Sequence, residues 1–198
     1  MPYFNIVAET NKNTVVTQYE ADKRRSDAYQ SEAELEKEFI EALVEQGYEY
    51  LQIHTENDLV CNLRKQLEDL NHYKFSDGEW DRFFRENLAN RNDGVVEKSR
   101  KMQEDYVQVL KRDDCMTKNI TLIDHKNIHN NKLQVINQYV VTIDQGARHD
   151  NRYDVTVLVN GFPMVHIELK RRGVAIREAF NQISRYERDS FSAGYGLF

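Results

Sequence analysis

The chain has 198 residues, 40% hydrophobic, 11% aromatic and 30% charged, with a formal net charge of −6. That length suits one domain with a sizeable core, and plentiful aromatics beside only two prolines exclude a disordered composition. No apolar run approaches the roughly 18 residues of a membrane span, no charged-then-apolar start marks a signal peptide, and two distant cysteines, Cys61 and Cys115, exclude a disulfide framework.

Residues 1–30 hold one strand signal, TVVTQY at 14–19, and read as an N-terminal arm or an edge strand. Ser31 and Glu34 form a capping box that opens a helix ending before Gly47. Leu35, Phe39, Ala42 and Leu43 make its apolar stripe, and its polar face is almost solid glutamate. YEYLQIH at 48–54 reads as a short strand.

From 56 to about 112 the pattern is mostly helical. Asn57-Asp58 caps a helix carrying Leu59, Leu63, Leu67 and Leu70, and Ser76 with Glu79 opens a second carrying Trp80, Phe83, Phe84 and Leu88. A third is expected from Asp93 through Met102, Tyr106 and Leu110. No repeat or low-complexity linker occurs, so this stretch reads as an insertion and Trp80 as a core residue. Residues 119–124 and 133–142 then read as strands around an Asn-rich turn. His125 and His129 have the i, i+4 spacing of a helical zinc pair, but the turn composition and the missing third ligand make them loop residues.

Residues 152–172, RYDVTVLVNGFPMVHIELKRR, organise the rest. Val155, Val157 and Val159 alternate with polar or mixed neighbours, Asn160-Gly161 marks a turn, and Val165, Ile167 and Leu169 alternate with His166, Glu168 and Lys170. The odd positions are expected to face a core. A two-residue turn would set Asp154 opposite Ile167, on the wrong face for Glu168. A three-residue loop, Val159-Asn160-Gly161, puts all even positions on one face and is therefore expected. Asp154, Glu168 and Lys170 then converge. Two carboxylates suit a hard cation such as Mg²⁺, which would polarise a phosphate and activate water, and an ammonium would stabilise transition-state charge. A solvated face with one ion pair is the competing reading, and His166 shares that face.

After Gly173 a helix is expected over 174–189, with Ile176, Ala179, Phe180 and Ile183 as its core stripe and Gln182 and Tyr186 projecting together at i, i+4. Lys170, Arg171, Arg172, Arg177, Arg185 and Arg188 concentrate positive charge here, although Glu178, Glu187 and Asp189 lie among them. The charge is uneven along the chain as well. Residues 1–60 carry 13 acidic and 5 basic side chains, the remainder 20 and 22. The net charge argues against a simple nucleic-acid binder; the cluster over 170–188 could meet phosphates, but charge alone favours a charged helix paired with its own acids.

Asp154 followed by Glu168-Leu169-Lys170 resembles the PD-(D/E)xK nuclease motif, with Tyr153 where the motif's name has proline. DVTVLVNGFPMVHIELK with Gln182-x-x-x-Tyr186 downstream, and VINQYVVT at 135–142 upstream, is similar to the N-terminal nuclease domain of the restriction (R, or HsdR) subunit of type I restriction-modification enzymes. The resemblance is carried by the last third of the chain and more weakly by 31–46. It implies an α/β, restriction-endonuclease-like mixed sheet flanked by helices, with a helical insertion over 57–112 and a nuclease domain over 31–198 that stops before a further core strand. It implies Mg²⁺-dependent hydrolysis of double-stranded DNA, with Mn²⁺ as a substitute, by a cytoplasmic enzyme working beside methylation and specificity subunits. Asp154 and Glu168 would bind metal, Lys170 would act on the water or the charge, and Gln182 and Tyr186 would position DNA or the lysine. A carboxylate from the first helix, Glu36 or Glu32, is the further candidate ligand. No G-x-x-x-x-G-K-[ST] motif is present, so ATP would serve only motor domains outside this sequence. A repair or resolvase nuclease of the same fold, or a non-catalytic DNA-binding or assembly module, are the alternatives.

Overall fold

The computed structural model describes residues 3–9, 15–20, 30–141, 151–171, 174, 176–189 and 197. An antiparallel hairpin, β1 (Tyr3–Glu9) with β2 (Val15–Glu20), forms a sheet of its own. Helix α1 (Glu32–Glu45) starts at the expected capping box: Ser31 Oγ accepts from Glu34 N at 3.2 Å and the Glu34 carboxylate accepts from Ser31 N at 2.8 Å. A two-residue strand, β3 (Glu49–Tyr50), precedes α2 (Glu56–Asn71), whose cap is Thr55 rather than Asn57-Asp58. Thr55 Oγ1 takes the Asp58 N–H at 3.2 Å, which satisfies a first-turn donor from a cap two residues earlier than Asn57.

Helix α3 (Asp77–Phe83) opens at the Ser76/Glu79 capping box and runs into a π-helical turn over Phe84–Leu88. Helix α4 (Val95–Gln103) follows. It does not continue to Leu110 as expected. Val107 to Lys111 is strand β4, paired antiparallel with β5 (Thr117–Thr121), so the insertion is helices followed by a hairpin. VQVLK carries alternating β-branched residues, and burying Leu110 between partners on the helical layer outweighs its i+4 relation to Tyr106.

The main sheet has the order β3-β6-β7-β8, from β6 (Leu133–Val141), β7 (Asn151–Val159) and β8 (Phe162–Ile167). β3 runs parallel to β6 and the other pairs are antiparallel, so the sheet is mixed. One face carries the core. Leu59, Leu63 and Leu67 of α2 and the rings of Phe75, Trp80 and Phe83 pack with Ile136, Tyr139, Tyr153 and Leu158 of the sheet. Val135 and Val155 are fully buried outside that cluster. Val155 pairs with Asn137, whose side chain donates to Glu36 of α1 at 2.6 Å, so α1 covers the second face. Helix α5 (Ile176–Asp189) completes a sheet flanked by helices, the restriction-endonuclease-like α/β class.

The hairpin turn differs from expectation. Val159 pairs with Phe162, so the loop has two residues, Asn160 (φ 51°) and Gly161 (φ 84°), both left-handed as a type I′ turn requires. The register is corrected afterwards by a bulge: Leu158 pairs with Pro163 but Val157 with Val165, leaving Met164 unpaired. Turn and bulge together give the odd-to-odd pairing that the three-residue loop was meant to supply. The faces are also redistributed. Thr156, Leu158 and Tyr153 turn toward the main core, whereas Val165 is 49% exposed.

The turn is buried against α2. Asn160 donates to Leu122 O at 3.0 Å and to Asn131 Oδ1 at 2.8 Å, and accepts from Lys132 N at 2.7 Å. A Cβ at Gly161 would stand 2.6 Å from Leu63 Cα. Gly161→Ala combines left-handed strain with a backbone clash and is expected to destabilise the fold by about 2–4 kcal/mol, read as a lowered urea midpoint. In the helical layer, buried Glu79 accepts from Tyr73 OH at 2.8 Å, Ser76 N at 3.1 Å and Asp113 N at 3.1 Å. Burial alone would raise its pKa, but these donors outweigh it and hold the carboxyl below its ordinary value. Its contribution is therefore present above the unfolded carboxyl value and lost as pH falls through the folded one. Glu79→Gln is expected to lower the urea midpoint at pH 7 and to flatten its fall in acid.

Candidate active site

The last paired row between β7 and β8 is Val155 with Ile167, and Asp154 and Glu168 occupy the next position along. Neither carboxylate is therefore held by the ladder itself. Asp154 Oδ2 accepts from the Leu169 backbone N at 2.9 Å, which carries the Asp154 side chain across to the departing end of β8. The Glu168 side chain is 2% exposed, and Lys170 Nζ donates to its Oε1 at 2.5 Å. Burial raises the Glu168 pKa, and the adjoining Asp154 carboxylate pushes the same way against the opposing lysine. Burial works against the Lys170 ammonium, but Glu168 beside it, with Asp154 and Glu32 beyond, holds its pKa above the ordinary value. The three residues singled out from the motif are thus brought together, with the ammonium on Glu168 and Asp154 adjoining.

Helix α1 delivers its two candidates to different places. Both Glu36 oxygens are engaged by amides of β6, Oε1 by Asn137 Nδ2 at 2.6 Å and Oε2 by Gln138 Nε2. Gln138 has φ 52° and lies between the paired rows Asn137–Val155 and Tyr139–Tyr153, hence across from Asp154. Glu36 is in this way committed to holding α1 on the sheet. Glu32 instead accepts from Arg171 N at 3.4 Å and lines a cleft with Lys170.

That cleft, about 840 Å³, runs between Lys170, Arg171 and Glu32 on one side and Gln182 and Arg185 of α5 on the other. Gln182 thus faces the same space as Lys170. Tyr186 falls within α5, but its side chain lies outside the described residues. His166 is engaged by β7: its Nδ1 is 2.9 Å from Thr156 Oγ1 and its ring stacks on Tyr153 at 4.3 Å. Burial pushes its pKa down to about 3. His125 stacks on Tyr106 and His129 sits in a short 3₁₀ turn, the loop positions that the Asn-rich composition suggested.

Gln138 and Met164 were not singled out from the sequence. The polar pair Asn137-Gln138 inside an otherwise apolar strand was the available signal for the first. Nothing local marks the second. Chemically, two adjoining carboxylates in a buried corner are oxygen donors that suit a hard divalent cation, with water completing its shell. The basic and amide side chains of the neighbouring cleft suit an anionic polymer.

Comparison with known proteins places the chain in a family. The family described as Type I restriction enzyme R protein N terminus (HSDR_N) matches residues 29–198. The chain is 49% identical over 193 residues to the type I restriction enzyme EcoprrI endonuclease subunit of Escherichia coli, covering 97% of this chain and 60% of that protein. It is 40% identical over 171 residues to the SsaAORF53P endonuclease subunit of Staphylococcus saprophyticus, and 37% identical over 172 residues to the SauMSSORF170P endonuclease subunit of Staphylococcus aureus strain MSSA476. Each of these covers 86% of this chain and 18% of the relative, so the chain spans only part of the proteins it matches. With a match across most of its length, the chain belongs to the family of type I restriction enzyme R protein N termini.

Proposed function

We propose that this chain is the endonuclease part of a type I restriction enzyme and hydrolyses DNA phosphodiester bonds with Mg²⁺. The observation that carries the reading is the meeting of Asp154, Glu168 and Lys170 where the β7–β8 ladder ends. The names of the relatives, all type I restriction enzyme endonuclease subunits, support it. In the complete protein the activity is coupled to ATP-driven DNA translocation by a motor outside this chain, with methylation and specificity subunits as partners in the cytoplasm. Among the described residues, no helix is long and apolar enough to cross a membrane.

Asp154 and Glu168 are the residues that would hold Mg²⁺ or Mn²⁺. A cation there would polarise the scissile phosphate and acidify a bound water. Asp154 is aimed by the Leu169 N–H, so its position is set by backbone and not by a flexible partner. Lys170, kept protonated by its carboxylate neighbours, stabilises charge that develops on the phosphate. Gln182, Arg171 and Arg185 meet the DNA backbone along the cleft, and Tyr186 lies one helical turn beyond Gln182. Excluding water from the Glu168 corner strengthens each of these electrostatic contacts.

The alternative of a non-catalytic DNA-binding or assembly module keeps the cleft but needs no cation. Lys170→Ala separates the two. In the complete complex, DNA cleavage is expected to fall at least about a hundredfold, the scale of losing one preorganised contact to transition-state charge. Translocation and DNA affinity should change little, since one cation among many phosphate contacts carries a small share of binding. Normal cleavage by the lysine variant, or loss of translocation with cleavage intact, would remove the hairpin from the active site.

A further inference from the structure

We propose that Tyr153 and His166 form a stacked brace that sets the separation of Asp154 and Glu168, making both positioning residues for the cation site. The inference rests on the metal-site reading above and goes beyond it, because neither side chain is a ligand.

The brace answers a mechanical problem. The β7–β8 pairing ends at Val155 and Ile167, so both carboxylates project from strand ends beyond the last paired row. Glu168, Leu169 and Lys170 have no regular structure. Two like charges in a buried corner repel, and that repulsion acts to open the strand ends where pairing no longer resists it. Tyr153 immediately precedes Asp154 on β7, and His166 stands two residues before Glu168 on β8. Their rings lie 4.3 Å apart at 23°, in a diagonal contact across the two strands. Tyr153 is 1% exposed within the main core, and His166 is tied to Thr156 of β7 at 2.9 Å, which fixes its ring plane. Spreading Asp154 from Glu168 would have to slide the His166 ring, half-buried, across a Tyr153 ring that the core holds in place. The stack therefore turns core rigidity into a fixed carboxylate separation.

The test is Mn²⁺ binding to the complete subunit without nucleotide, followed by the paramagnetic signal of free Mn²⁺, with folding checked by urea midpoint. The Asp154→Asn variant defines the signal that belongs to this site. His166→Ala is expected to weaken that Asp154-dependent binding about tenfold, the usual scale for residues that orient metal ligands. His166→Phe, which keeps a flat ring against Tyr153, should restore binding to within about threefold. Tyr153→Leu, which keeps apolar bulk but not the stack, should behave like His166→Ala and carries the test if that variant does not fold. A folded His166→Ala or Tyr153→Leu with unchanged affinity overturns the brace and leaves only core packing. Failure of His166→Phe to restore binding overturns it as well. Mn²⁺ binding that survives Asp154→Asn would instead overturn the metal-site reading beneath it, so the two failures are distinguishable.

Discussion

Between the Gly161 backbone and helix α2 there is no room for a side chain, since a Cβ there would lie 2.6 Å from Leu63 Cα. Much of the active-site geometry depends on that close approach. It seats the β7–β8 turn in the core, where Asn160 saturates its amide against Leu122, Asn131 and Lys132. A turn locked this tightly has two residues, and two residues alone would place Asp154 across from Ile167. The bulge at Met164 moves the register by one, so that Val155 meets Ile167 and Asp154 stands across from Glu168. Helix α2, at the other end of the hairpin from the carboxylates, thus takes part in deciding where they meet.

The charge distribution follows from the layers. Helix α1, glutamate-rich, lies on the face of the sheet that bears Asn137 and Val155, and it is tied there through Glu36. Helix α5 brings Gln182 and Arg185 to the other wall of the cleft. The cleft lining therefore mixes charges, with Lys170, Arg171 and Arg185 beside Glu32 and Glu178. The local cluster, and not the overall charge of −6, sets the field inside the cleft.

Local rules were legible in the sequence and non-local ones were not. Both capping boxes, the leucine face of α2 and the core position of Trp80 depend on residues a few positions apart, and each stands where spacing put it. The end of α4 was misplaced because Tyr106 and Leu110 fit a helical spacing while Val107 and Val109 fit a strand. Pairing with β5, distant in sequence, decides between them. The valines of β7 read as the core face, but both faces of this sheet are covered, so alternation alone could not say which layer each side meets. At the site, the motif resemblance named Asp154, Glu168 and Lys170. Of the device that joins them, Asn160-Gly161 marks the two-residue turn, but the bulge at Met164 leaves no local mark. Glu36 and Glu32 are equivalent by helical spacing. Asn137 and the left-handed Gln138 on β6 separate them, by presenting their amides to Glu36.

The central claim is that the ladder end of this hairpin is a cation site. Diffraction from crystals of the complete subunit soaked in Mn²⁺, recorded to locate anomalous scattering, tests it most directly. The account predicts a peak between the Asp154 and Glu168 carboxylates, with the Lys170 ammonium released from Glu168. A peak elsewhere, with the Lys170–Glu168 pair intact and no density between the two carboxylates, would contradict it.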